Sequence, residues 1–156
     1  IYMKEVKIEK RDEMLIDQLL IVWKNSVKET HLFLSKDEIE NIEPYVFQAL
    51  NNIKHLIIET DDNGDPIAFM GIEDNKLEML FIAPDFREKG LGKKLLLYGI
   101  ENYQVNELDV NEQNPQAKGF YEYMGFKVYK RDELDGQGNP YPILHMRLKD
   151  FNKNIL

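Results

Sequence analysis

The chain has no cysteine, which excludes disulfides, thiolate metal sites and a cysteine nucleophile. That absence fits a reducing compartment. No apolar run approaches the roughly 20 residues needed to cross a bilayer. The opening stretch IYMKEVKIEK has no apolar segment of the kind a secretory leader carries. A cytoplasmic protein with no membrane partner is therefore expected. Histidine is scarce: His31, His55 and His145 are scattered without paired spacing, so no metal site is expected. Basic residues are in the minority, 20 Lys+Arg against 28 Asp+Glu, for a formal net charge of -8. Such a balance argues against a general nucleic-acid binder. It suits a cationic partner such as an amine. There is no internal repeat, low-complexity tract or linker.

What remains is ordinary globular material. Hydrophobic residues make up 43% and aromatics 11%, enough to build a packed core. At 156 residues one domain, 1–156, is expected. VKIEK, around Val6, alternates as a strand does. Met14, Leu15, Leu19, Val22, Trp23 and Val27 recur at helical spacing, predicting a helix from Asp12 to about Lys28. Ser35 followed by Glu38 is a capping box, so a second helix starts there and runs to about Leu50. Strands are predicted at His55–Glu59, Pro66–Ile72 and Leu77–Ile82, forming an antiparallel meander. A turn at Asn63-Gly64 joins the first two of these.

A helix follows from about Gly90 to Tyr103, then a strand at Glu107–Val110. Asn114-Pro115 reads as an N-cap with proline at the first helical position. Gly125 ends that helix. Strands at Phe126–Lys130 and Ile143–Leu148 close the chain. This order predicts a mixed α/β (α+β) domain with a mostly antiparallel sheet.

The stretch APDFREKGLGKKLL, Ala83 to Leu96, gathers Arg87, Lys89, Lys93 and Lys94 around Gly90 and Gly92 at the start of a helix. A helix N-terminus offers unpaired N–H groups and partial positive charge, and glycine lets a phosphate approach. A pyrophosphate cradle is one reading. A tight strand-to-helix turn with solvated lysines is the other. The spacing is neither that of a P-loop nor that of the dinucleotide fingerprint.

R-E-K-G-L-G, Arg87 to Gly92, resembles the R/Q-x-x-G-x-G/A signature of the GNAT superfamily of N-acetyltransferases. FIAPDFR resembles the family's fourth strand and the turn after it. NPQAKGFYEYMGF, Asn114 to Phe126, resembles its N-x-x-A-x-x-F-Y-x-x-x-G-F segment. The likeness covers nearly the whole chain. WKNSVKETHLFL, Trp23 to Leu34, with VNEQNPQA and GNPYPILH, is similar to a small group of bacterial acetyltransferases.

The resemblance implies about seven strands flanked by about four helices, with splayed central strands. It implies acetyl-CoA as co-substrate. The pyrophosphate would lie on the stretch Arg87, Glu88, Lys89, Gly90, Leu91, Gly92, Lys93 and Lys94. The pantetheine arm would run along Phe81 and Ile82, with Asn114, Ala117 and Tyr121 also at the cofactor. The reaction implied is direct attack of a primary amine on the thioester, with no covalent enzyme intermediate. The amine could belong to a small molecule, a peptide N-terminus or a lysine.

In that reading Tyr121 matches the family's acid, which protonates the departing sulfur; the alternative is a core tyrosine. Glu78 matches the strand position where some members place the base. Alternation puts it on the face of Leu80 and Ile82, and the alternative is a solvated strand glutamate. Trp23, His31, Phe33 and Tyr141 are candidates for the acceptor pocket, and His31 could also relay a proton. A capping or exposed histidine is the other reading of His31. His145 reads as a sheet histidine, and His55 receives no role. The resemblance leaves monomer and homodimer open. Two other function classes remain beside it: a non-catalytic acyl-CoA sensor on the same fold, and an unrelated phosphate binder using the same turn.

Overall fold

The computed structural model describes residues 2–149. Strand β1 (Tyr2–Glu5) leads into helices α1 (Glu13–Thr30) and α2 (Lys36–Asn52). Strands β2 (His55–Thr60), β3 (Pro66–Glu73) and β4 (Lys76–Ile82) follow as an antiparallel meander. Helix α3 (Leu91–Tyr103), strand β5 (Glu107–Asn111), helix α4 (Pro115–Tyr123) and strands β6 (Phe126–Asp132) and β7 (Ile143–Leu148) complete the described residues. One sheet of seven strands runs β1-β2-β3-β4-β5-β7-β6. Every neighbouring pair is antiparallel except β4 and β5.

Alternation along the strands divides the core between two faces. Phe69, Leu56 and Met79 pack with Leu19, Trp23 and Leu50 of α1 and α2. Met70, Ile57 and Leu108 pack with Leu91, Leu95 and Leu96 of α3. Leu91, Leu95 and Leu96 fall on one stripe of α3, and that stripe is the face it buries. No helix among the described residues is long and apolar enough to cross a membrane.

The first strand lies earlier than VKIEK suggests. It pairs Tyr2–Glu5 with β2, and Ile8–Lys10 instead form a single 3₁₀ turn. The reason is Arg11, buried at 7% exposure. Its Nε donates to the Val6 carbonyl at 3.0 Å, and Nη1 donates to the carbonyls of Leu50 and Ile53 at 3.1 and 2.7 Å. One guanidinium thus binds the chain after β1 to the end of α2, whose last carbonyls would otherwise lack donors.

Two departures from regular pairing shape the central clefts. β4 and β5 are joined only at Lys76↔Glu107 and Leu77↔Leu108 and then separate. In β4 a bulge breaks the register: Gly71 opposes Met79, while the next residue, Ile72, opposes Leu77. Glu78 is the extra residue.

Candidate active site

Where β4 and β5 part, a cavity of about 610 Å³ opens between β4, the start of α3 and α4. Leu80, Phe81 and Ile82 form one wall, and Asn114, Ala117 and Tyr121 form another. At one end stand Gly90, Leu91, Gly92 and Lys93. Gly90 is the N-cap of α3 at φ 78°, a left-handed backbone that glycine adopts without strain, and no side chain caps the helix. The first closed bond is Lys94 N–H to the Gly90 carbonyl at 3.0 Å. The N–H groups of Leu91, Gly92 and Lys93 precede it and have no intrahelical partner. A Cβ on Gly92 would come 3.2 Å from Ile82 Cδ1, so glycine also lets the helix start press against β4.

The cations of this stretch are distributed unequally. Arg87 Nη2 donates to the Ser26 carbonyl at 3.0 Å, tying the turn to the end of α1. Lys93 stacks over Tyr123 at 5.5 Å, and Lys89 over Phe86 at 5.3 Å. Lys89 and Lys94, both expected at the cradle, lie outside the cavity lining, whereas Arg87 and Glu88 belong to it. Lys94 turns inward, placing Nζ 3.0 Å from Oε1 of Glu59.

Asn114 caps α4 as its sequence position predicts, with Oδ1 accepting from Ala117 N–H at 3.2 Å. That leaves the amide NH₂ as its donor. Tyr121 stacks near Phe120 and Phe126, at 5.4 and 6.3 Å. Burial pushes its hydroxyl up to about 12, so it stays protonated at neutral pH.

A second cavity, of about 470 Å³, lies between α1, α2, β4 and the loop 133–142. All four expected pocket residues line it: Trp23, His31, Phe33 and Tyr141. Glu78 lines it too, beside Met79 and Phe81. The face predicted for Glu78 was that of Leu80 and Ile82, but those two line the other cavity. The bulge resets the alternation and turns Glu78 to the α1/α2 side. Its side chain remains 40% exposed, with Lys76 Nζ 4.0 Å away. Partial burial raises its pKa above the ordinary carboxylate value, Lys76 pulls it down, and Asp109 and Glu73 add to the rise.

His31 and Phe81 line both cavities. His31 Nδ1 is 2.8 Å from Thr30 Oγ1, which in turn donates to the Ser26 carbonyl at 2.8 Å. Burial, then the charge of Arg87, lower the imidazole pKa below its ordinary value, so the ring is neutral at pH 7. Phe33 packs between His31 and Tyr141, with centroids at 5.5 and 5.4 Å.

Glu38 was legible in the sequence only as half of a capping box. The box forms, with Glu38 Oε1 accepting from Ser35 N–H at 3.0 Å. Its other oxygen accepts from the Tyr141 hydroxyl, fastening the loop to α2. These bonds, that from Tyr141 foremost, hold the Glu38 carboxyl below its ordinary pKa. Glu38, Glu78 and Asp135 are the acids of the cavity lining, which contains no lysine or arginine among the described residues.

Residues 28–149 match the family model described as an acetyltransferase (GNAT) domain. The chain is 38% identical over 130 residues to the peptidyl-lysine N-acetyltransferase YjaB of Salmonella typhimurium, spanning 83% of this chain and 89% of that protein. The solution structure of apo YjaB from Escherichia coli superposes with a TM-score of 0.82 at 32% identity, covering 95% of this chain and 97% of that one. The PaiA N-acetyltransferase of Thermoplasma acidophilum, solved in complex with coenzyme A, has the same fold. Its TM-score is 0.65 at 22% identity, over 94% of this chain and 99% of that one.

Proposed function

This chain belongs to the GNAT acetyltransferases and takes its acetyl group from acetyl-CoA; from that premise we propose that its acceptor is a lysine side chain carried on a peptide. The observation that carries the proposal is the acceptor-side cavity. Glu38, Glu78 and Asp135 bring carboxyl groups to its lining, and this acidic lining favours an ammonium over a neutral or anionic acceptor. Asp135, Gln137 and Asn139 bring polar groups from the 133–142 loop, suited to a peptide backbone. Relatives named peptidyl-lysine N-acetyltransferases support the same reading.

The donor is held at the first cavity. The N–H groups of Leu91, Gly92 and Lys93 meet the pyrophosphate, assisted by the partial charge of the helix start. The pantetheine arm lies along the open edge of β4, and the Asn114 amide donates to it. Tyr121, protonated at neutral pH, gives a proton to the departing sulfur. On the other side of the thioester a base must take a proton from the acceptor, and Glu78 and His31 both line that cavity.

The test offers the enzyme acetyl-CoA with lysine peptides, blocked and free at the N-terminus, and with small amines. Acetylation of the lysine Nε, located by mass spectrometry, is expected. Acetyl found only on peptide N-termini or small amines refutes the acceptor assignment.

A further inference from the structure

We propose that His31 is the base of this reaction, acting through Nε2, and that Thr30 sets it in the tautomer that leaves Nε2 unprotonated. The inference rests on the acetyltransferase reading and decides between the two groups left open there.

Three observations lead to it. The first is position. His31 and Phe81 are the two side chains common to the donor and acceptor cavities, and of these only His31 can exchange a proton. A base must stand where the thioester meets the amine.

The second is the tautomer. A hydroxyl has one proton. Thr30 Oγ1 gives its proton to the Ser26 carbonyl, one turn back along α1. Its contact with His31 Nδ1 must then use the imidazole's own N–H, with Thr30 oxygen accepting. Nδ1 carries the hydrogen and Nε2 keeps its lone pair. The arrangement needs a threonine next to the histidine and, four residues before that threonine, a helix carbonyl that accepts its hydroxyl, as the Ser26 carbonyl does beside its bond from Arg87. S-V-K-E-T-H, Ser26 to His31, supplies both.

The third is charge. A base must be unprotonated before the amine arrives. The titratable and charged groups lining the two cavities that His31 shares are Glu29 of α1, Glu38 and Tyr45 of α2, Glu78 of β4, Arg87 and Glu88 of the turn, Lys93 of α3, Tyr121 of α4, and Asp135 and Tyr141 of the loop. Glu38 is engaged by Ser35 and Tyr141, and Glu29 lies 3.9 Å from Arg87. Burial and Arg87 dominate at the ring and keep it neutral. Glu78, by contrast, faces Lys76 and is well exposed. It stands on the acceptor side alone, where its carboxyl group attracts the acceptor's charge.

The proton balance closes. The acceptor ammonium gives one proton to Nε2, and His31 returns it to solvent. The nitrogen lone pair forms the new C–N bond, the C–S bond breaks, and sulfur leaves with its electron pair. Tyr121 protonates that sulfur, and the nitrogen's second proton restores the phenol. The products are the amide, the free thiol of coenzyme A and one proton.

Long-range ¹H–¹⁵N NMR of the ¹⁵N-histidine-labelled protein reads the tautomer directly, with the His31→Gln spectrum identifying the signal. The neutral Nδ1–H form is expected, and an Nε2–H form overturns the proposal. Turnover is measured with Nα-acetyl-lysine methylamide as acceptor at saturating acetyl-CoA. His31→Gln is expected to lower kcat about 100-fold or more with acetyl-CoA affinity unchanged. The wild-type acid limb of kcat/KM, expected below pH 6.5, should vanish in the variant. Thr30→Val is expected to redistribute the tautomers and lower kcat about 10-fold, with KM nearly unchanged. Glu78→Gln should raise KM and keep the acid limb. If His31→Gln turns over like wild type with chemistry rate-limiting, the base assignment fails and the acetyltransferase reading stands. If the wild type releases no thiol with this probe or with any lysine peptide, both fail together.

Discussion

Lys94 Nζ lies 3.0 Å from Oε1 of Glu59, a carboxylate with 0% of its side chain exposed. Neither Glu59 oxygen has a hydrogen-bond partner among the described residues, so geometry leaves the attraction chiefly Coulombic. The lysine reaches the carboxylate from the first turn of α3 and anchors the helix start that frames the donor cavity. Removing the lysine strands a buried charge, which costs more than the pair itself contributes. Lys94→Met is expected to lower unfolding free energy by about 1–2 kcal/mol, less than for a fully buried pair because Lys94 is 47% exposed. Adding Glu59→Gln should recover much of that loss. Urea titrations of both singles and the double variant check it, and strict additivity would contradict the pairing.

In the proposed placement of the pyrophosphate, a carboxylate at Gly92 would oppose a phosphate. Gly92→Asp is expected to weaken coenzyme A binding by about 100-fold or more through like-charge repulsion. Because a Cβ there meets Ile82 at 3.2 Å, a modest fall in melting temperature should accompany it. Gly92→Ala separates the two effects, keeping most of the affinity. Calorimetric titration of coenzyme A into each variant gives the answer, and wild-type affinity in Gly92→Asp would place the pyrophosphate elsewhere.

Tyr121→Phe removes one hydroxyl and little packing. Turnover is expected to fall about 100-fold while acetyl-CoA affinity holds. Free-thiol release under single-turnover conditions, set beside the dissociation constant, checks the split. Unchanged single-turnover rates remove the tyrosine from the chemistry.

His145 sits between Asp109 and Asp132, with Nδ1 and Nε2 at 2.6 and 2.7 Å from their oxygens. Burial pushes the imidazole down, but the bonds with Asp132 and Asp109 outweigh it and its pKa rises. A group whose pKa rises on folding stabilises fully below its unfolded value, near 6.5, and that stabilisation is lost as pH climbs through the folded value. The stability difference between wild type and His145→Gln should therefore be about 1 kcal/mol at pH 6 and shrink at higher pH. Denaturation midpoints at several pH values test the sign, and a gap that widens with pH contradicts it.

Much of the fold was legible because local rules and tertiary packing agree. The capping box at Ser35, the Asn114-Pro115 start and the stripe Leu91, Leu95 and Leu96 all do in the structure what their spacing implies. The exceptions were set by contacts distant in sequence. Arg11 draws the chain after β1 toward α2, 39 residues away, and alternation in VKIEK cannot register that pull. The bulge in β4 depends on pairing with β3, so Glu78 was given the wrong face. Glu38 and Thr30 carry ordinary local signals, a capping glutamate and a helix-end threonine. The bond of Glu38 at the cavity appears only when Tyr141, 103 residues on, arrives beside it, and the Thr30–His31 contact needs the local geometry of the helix end.

The parting of β4 and β5 also bears on how the molecule holds together. The sheet is two slabs sewn by Lys76↔Glu107 and Leu77↔Leu108. A donor arm laid in the seam, as proposed above, would lend each slab bonds that the chain itself does not provide there. Saturation at 100 times the dissociation constant adds about 2.7 kcal/mol against unfolding. Amide hydrogens flanking the seam should then exchange with solvent more slowly. In the proposed placement coenzyme A is a stitch in the architecture, and its concentration is expected to set the unfolding midpoint as well as the rate of turnover.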